Sequence, residues 1–360
     1  MSNPVTEFIK IDEVRNKIDS TYPNPGTDVE AEISVANNGY SHKLIGTTFE
    51  FLCALWLYRQ CEDVIIPSLH ASRGITDTEE DEWVRGARYQ KIPDVVVSVY
   101  DGMKWENREG GPSNRKEWEE MNADRPGWKQ RSPVEWTEDE DLSKVANQFV
   151  ETGLNTERVV RAALLNAGWK PDESVQSWIN RELFEDDLLE EMEALFSLLR
   201  SQSWTDGDVL FEKPSFGNYR HILPGEGDFL VDNVLIDIKT TQNGSFTNSF
   251  WRQLLMYYVL NDIQRELYEA DSVTRGGREM FEEKYPEITQ VGIYFARYGE
   301  LQTVAMEDII QDRQQYEEFR AWIVDRAIEQ NEHAQVDYSA IKDVLTEPYD
   351  YDHQQTLSDF

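Results

Sequence analysis

Residues 229–241, FLVDNVLIDIKTT, constrain the fold of this 360-residue chain more than any other stretch. Two β-rich runs meet at Asp232-Asn233, a pair suited to a two-residue hairpin turn. With that turn, Val231 faces Val234, Leu230 faces Leu235 and Phe229 faces Ile236. The same register sets Asp228 opposite Asp237, with β-carbons about 4.5–5.5 Å apart. Lys239 lies two residues past Asp237 and so projects from the same face. Phe229, Val231, Val234, Ile236 and Ile238 form the opposite face, which must be buried. Leu230 and Leu235 make the first face apolar as well, so the hairpin is expected to be central and covered on both sides.

Two carboxylates opposed across a buried ladder repel one another. Either one takes a proton at a raised pKa, or a cation sits between them. A hard divalent ion such as Mg²⁺ takes oxygen ligands and suits the second option. Lys239 cannot ligate such an ion, but it could orient or deprotonate a water and stabilise charge at a phosphate. The tripeptide Asp237-Ile238-Lys239 carries little weight by itself. With 69 acidic residues in 360, an acid two places before a Lys should arise by chance at about two or three of the 13 Lys, and it arises at two. Glu282-Glu283-Lys284 is the other and reads as a solvated charge run. Pro93-Asp94, ahead of the strand-like DVVVSVY, has no acid-x-Lys behind it and is a decoy.

Two further features stand near the hairpin. In WRQLLMYYVL, Gln253 and Tyr257 are an i,i+4 pair on one helical face, although a core helix that happens to carry a Tyr explains the pair alone better. Glu50 is the sole charge in FEFLCALWL, with Gly46 and Ala54 one turn either side. A carboxylate in so apolar a run needs a partner or a proton, unless it snorkels from a helix edge.

Along the chain, residues 1–40 read as a loosely attached N-terminal extension. Residues 44–60 read as a buried helix, and 69–200 as an acidic section with one strand at 94–100 and helices near 137–152, 156–167 and 174–200. Seven of the eleven Trp fall in that section, which suggests a packed subdomain. Strands are expected at 208–212 and 228–241, a long helix at 247–268, a hairpin at 291–306 turning at Tyr298-Gly299-Glu300, and a final helix at 307–330 before a frayed tail. The core is therefore mixed α/β.

The net charge is −34, with 22 Arg but only 13 Lys. Such an acid excess resembles proteins of salt-loving organisms, where a Debye length of about 3 Å near 1 M salt relieves self-repulsion. That salt also removes most of the counterion-release contribution to nucleic-acid affinity, so a missing basic patch does not exclude a nucleic-acid partner. Cys53 and Cys61 are too few for a four-Cys metal site or a disulfide scaffold. The N-terminus lacks the basic-then-apolar pattern of a signal peptide, and no run of 18 apolar residues occurs, so the expectation is a cytoplasmic protein with no membrane partner.

Taken together, Asp228, Asp237-Ile238-Lys239 and Gln253-Leu-Leu-Met-Tyr257 resemble, in order, the motif of the PD-(D/E)xK nuclease superfamily in its RecB-like branch. GTTFEFL places Glu50 where many members carry an acid on the helix before the sheet. KPSFGNYRHILPGEGD is similar to the Pro-x-Phe-Gly … Gly-x-Asp lead-in of some members, with Gly227 in place of the motif's Pro. The likeness covers residues 41–60 and about 210–305.

The resemblance implies a restriction-endonuclease-like core with a central mixed β-sheet flanked by helices, formed by 41–68 and 201–310. A large, mostly helical insertion at 69–200 would interrupt it, and a C-terminal helix and tail at 311–360 would follow. It implies Mg²⁺ or Mn²⁺ held by Asp228, Asp237 and Glu50, and phosphodiester hydrolysis by metal-activated water positioned by Lys239, with DNA as the expected substrate. Gln253 and Tyr257 would brace the motif or contact the nucleic-acid backbone. The alternatives are a catalytically idle nucleic-acid- or partner-binding protein with the same fold, or an interaction platform built on the Trp-rich section.

Overall fold

The structure, a computed structural model, describes residues 5–65, 142–167, 185–216, 223–275 and 287–330. The strand expected at 94–100, all seven Trp of the 69–200 section and the tail beyond residue 330 lie outside these residues. The strands are β1 (Asp63–Ile65), β2 (Val209–Glu212), β3 (Ser215–Phe216), β4 (Gly225–Glu226), β5 (Phe229–Val231), β6 (Val234–Lys239), β7 (Gln290–Phe295) and β8 (Glu300–Ala305). The helices are α1 (Val5–Phe8), α2 (Asp12–Thr21), α3 (His42–Gln60), α4 (Leu142–Thr152), α5 (Thr156–Asn166), α6 (Asp186–Arg200), α7 (Asn248–Arg275), α8 (Met306–Ile309) and α9 (Arg313–Gln330).

Six strands form one mixed sheet in the order β1-β2-β5-β6-β7-β8, and β3 and β4 pair separately. The β5–β6 hairpin has the register that alternation dictates: Val231 opposite Val234, Leu230 opposite Leu235, Phe229 opposite Ile236. Asp232 turns the corner at φ 51°, a left-handed conformation that Asp and Asn tolerate better than most residues. β6 and β7 run parallel, which requires a crossover, and α7 supplies it.

The two faces of the hairpin feed two cores, because successive side chains point to opposite sides. Phe229, Val231 and Ile236 join one core with α3, α4, α5 and α6, while Leu230 and Leu235 join the other with α7 and α9. The sheet is thus covered on both sides, as its doubly apolar strands require.

Two expectations about organisation change. The N-terminal segment is not a loose extension: Val5, Phe8, Val14 and Ile18 are at most 1% exposed in the core with α7. Its apolar residues follow a helical spacing that polar neighbours and the turn-rich YPNPGTD conceal. Helices α4, α5 and α6 share one core with α3 and the sheet, so the described part of 69–200 is not a separately packed unit. The final helix is also broken, between α8 and α9. Val14→Ala is expected to lower the unfolding free energy by roughly 2 kcal/mol through lost burial and a residual cavity. Urea denaturation checks this, since a segment hanging free would give no change.

Candidate active site

The site forms where the β5–β6 hairpin meets α3 and the start of α7. Asp228 sits immediately before β5, and its Oδ2 accepts a 2.7 Å hydrogen bond from the Ile238 N–H. This ties the first carboxylate to the strand that carries the second. Asp237, in β6, is 4% exposed. Its Oδ2 is buried and lies against the Lys239 ammonium. Lys239 Nζ also stands 5.1 Å from the Phe250 ring centroid, a cation–π distance.

The electrostatics follow from burial and proximity. Burial pushes the Asp228 carboxyl well above the usual range, and the charges of Asp237 and Glu50 push it the same way. Asp237 is also raised by burial, against the opposing pull of Lys239. For Lys239, burial alone would lower the pKa, but Asp237 and Asp228 together hold it raised. Two acids that resist ionisation beside an ammonium that resists deprotonation are the signature of carboxylates short of positive charge.

Glu50, one helical turn past Gly46 on α3, lines the same cleft as this pair. It does not snorkel unpartnered: its Oε1 lies 3.1 Å from Lys213 Nζ, each side chain about a third exposed (30% and 33%). Lys213 immediately follows β2 and was not among the residues that pattern or spacing singled out. The adjacent Glu212 is bonded to the Tyr58 hydroxyl of α3, and burial raises its pKa. Glu226, whose charge acts on the same neighbourhood, is raised by burial and by Glu50, against the pull of Lys213. The only sequence signal for this group was the Lys-Pro of KPSFG, whose approach to Asp228 depends on the pairing of β2 with β5.

Gln253 and Tyr257 do meet on α7, Gln253 Nε2 donating to the Tyr257 hydroxyl at 2.8 Å. Their positions differ, however. Gln253 reaches the cleft, whereas Tyr257 is 3% exposed and stacks on Phe216 at 5.1 Å. Burial raises the Tyr257 phenol to about 12, so it stays protonated. Tyr257 can brace Gln253; it cannot touch a ligand in the cleft without moving.

Asp228, Asp237, Lys239, Glu50 and Gln253 thus line one cleft of about 310 Å³, with His42, Lys43 and Thr47 of α3 on its rim. A larger hollow of about 530 Å³, between residues 28–33 and 242–245, contains none of these motif residues, so size alone does not mark the site. Among the described residues no three His, Cys, Asp or Glu side chains form a ready-made metal cage. In their place, the ammonium groups of Lys239 and Lys213 neutralise Asp237 and Glu50. The donor set nonetheless suits a hard divalent ion: three carboxylates line one cleft, and burial and the neighbouring carboxylates oppose the ionisation of Asp228 and Asp237. Cys53 and Cys61 are free and buried, and no helix among the described residues is long and apolar enough to cross a membrane. Compared with protein-family models, with curated proteins and with solved structures, the chain matches none of them.

Proposed function

We propose that the protein is a metal-dependent nuclease with a restriction-endonuclease-like core, hydrolysing phosphodiester bonds, with DNA as its substrate. The observation that carries this is the row Asp228–Asp237–Lys239, set by hairpin register and facing Glu50 across a single cleft. Asp228, Asp237 and Glu50 would hold Mg²⁺ or Mn²⁺. Such an ion, when bound, supplies Lewis-acid stabilisation and lowers the pKa of water. Lys239, held charged by its two Asp neighbours, would stabilise negative charge developing on the phosphate. Gln253, which lines the cleft and is bonded to Tyr257, would contact the backbone of the nucleic acid.

The test is cleavage of linear, circular and single-stranded DNA with Mg²⁺ in molar KCl, comparing the unaltered chain with Asp237→Ala and Lys239→Ala. Both variants are expected to lose at least about two orders of magnitude in rate. Equal cutting by all three proteins would sink the proposal.

A second reading has its own support. Lys239 and Lys213 already neutralise two of the three carboxylates, which is also what an idle, nucleic-acid-binding descendant of such a site would retain. Divalent-ion stabilisation without cleavage of any DNA or RNA form would favour it.

A further inference from the structure

Lys213 is built into the site more firmly than a surface ion pair requires. Its N–H donates to the Asp228 carbonyl at 2.9 Å, and the Gly227 N–H donates to the Pro214 carbonyl at 2.9 Å. These bonds extend the β2–β5 ladder one step beyond Glu212 and Phe229, so Lys213 stands directly opposite Asp228. Asp228 in turn reaches β6 through its side chain, whose Oδ2 accepts from the Ile238 N–H beside Asp237. The adjoining ends of β2, β5 and β6 therefore carry the backbone of Lys213 up to that of Asp228, next to Asp237.

The backbone at Lys213 adopts φ 49°, one of only three left-handed non-glycine residues among those described. Lys is poorly suited to that conformation, whereas Gly or Asn would adopt it readily. A lysine there answers to its ammonium, which sits 3.1 Å from Glu50 Oε1 and opposes the negative charge on Glu212 and Glu226. The Glu50 and Lys213 side chains are only about two-thirds buried, so water can reach the pair and the partners can exchange. An ammonium is a compact, strongly hydrated point charge on a flexible stem, whereas a guanidinium would grip the carboxylate in a two-pronged fork.

We infer that Lys213 is the resident counter-cation of Glu50, which a divalent ion must displace, and that it thereby sets the Mg²⁺ concentration the site needs. This rests on the nuclease reading for the identity of the ion, but it concerns a residue outside the motif. It also explains how Glu50 and Asp228 face one cleft before any metal arrives: Lys213 bonds the backbone of one and the side chain of the other.

The experiment is calorimetric titration of the full chain with Mg²⁺ in molar KCl, without nucleic acid. Lys213→Asn removes the cation while relieving the backbone, and is expected to bind Mg²⁺ about fivefold more tightly, the scale of one ion pair of about 1 kcal/mol. Lys213→Arg keeps the charge with a stronger grip, and is expected to bind it several-fold more weakly. A purely structural lysine would not move affinity in opposite directions in the two variants. Unchanged affinity in both, or weaker binding in Lys213→Asn, would overturn the inference while leaving the nuclease proposal intact. If the unaltered chain binds no Mg²⁺ and cuts no DNA, both fall together.

Discussion

Asp228→Asn is expected to be more resistant to urea than the unaltered protein at neutral pH without divalent ions, and to cut DNA at least about two orders of magnitude more slowly with Mg²⁺. The two effects have one cause. Asp228 is buried, faces Asp237 and lies near Glu50, and all three influences oppose its ionisation. Asn keeps a side-chain oxygen that can accept from the Ile238 N–H, as Asp228 Oδ2 does at 2.7 Å, while removing the charge. The gain should be about 1–3 kcal/mol, the scale of an uncompensated buried polar group. The sign with pH follows. A carboxyl whose folded pKa is raised binds more protons folded than unfolded between the two values. Its stabilising contribution is complete below the unfolded value, about 3.9, and is lost as pH rises through the folded one. The unaltered chain should therefore lose stability across that window, and Asp228→Asn should lose less. Mg²⁺ should reverse the order, because it binds the ionised carboxylates and stabilises the folded state by mass action. Urea curves at several pH values, with and without Mg²⁺, measure each part. If Asp228→Asn is the less stable protein at neutral pH without Mg²⁺, the carboxylates are not in conflict.

The hairpin and its carboxylate pair were legible because they are local. Alternation, a two-residue turn and a period of two fix which side chains share a face, and nothing distant is needed to place Asp228 beside Asp237. The turn itself held more than could be read: Asp232 Oδ1 also accepts from the N–H groups of Asp208 and Val209, both at 3.0 Å, binding the hairpin to β2. Gln253 and Tyr257 were legible as a helical pair but not in their division of labour, because spacing fixes the face a residue shares and not its depth. Glu50 was visible as an oddity, and its partner was not. Lys213 meets it only through the pairing of β2 with β5 and the packing of α3, contacts between segments far apart in the chain. The N-terminal helices are hidden from the sequence for the same reason, since a 4-residue and a 10-residue helix show their apolar stripe only against the α7 surface that buries it.

The candidate site thus rests on elements the motif does not contain, and Arg297 is the one whose loss should cost most. Arg297→Met is expected to destabilise the protein by about 3–5 kcal/mol, the penalty for leaving one partner of a buried ion pair alone. Its side chain is 0% exposed, as is that of Glu191 on α6, and the two meet at 2.5 Å. Arg297 Nη1 also donates to the carbonyls of Val35 and Ala36 at 3.1 and 2.8 Å, and Nε donates to the Thr240 carbonyl at 2.6 Å. Glu191 in turn accepts from the Asn38 N–H at 2.9 Å. One side chain therefore fastens the segment leading into α3, the helix α6 and the residue following Lys239. Lysine cannot replace it, because a single ammonium cannot span these acceptors as the planar fork does. The double variant Glu191→Leu with Arg297→Met should be more stable than the sum of the single changes implies, because it strands no charge. It should not recover fully, since the Val35, Ala36 and Thr240 carbonyls lose their donors. A double-mutant cycle in urea measures the coupling. The same proteins titrated with Mg²⁺ then separate a fold staple from a site staple. If Thr240 holds Lys239 and its neighbours in register through Arg297, the double variant should bind Mg²⁺ more weakly even under conditions where it is fully folded. Unaltered Mg²⁺ affinity in that folded protein would confine Arg297 to stability alone.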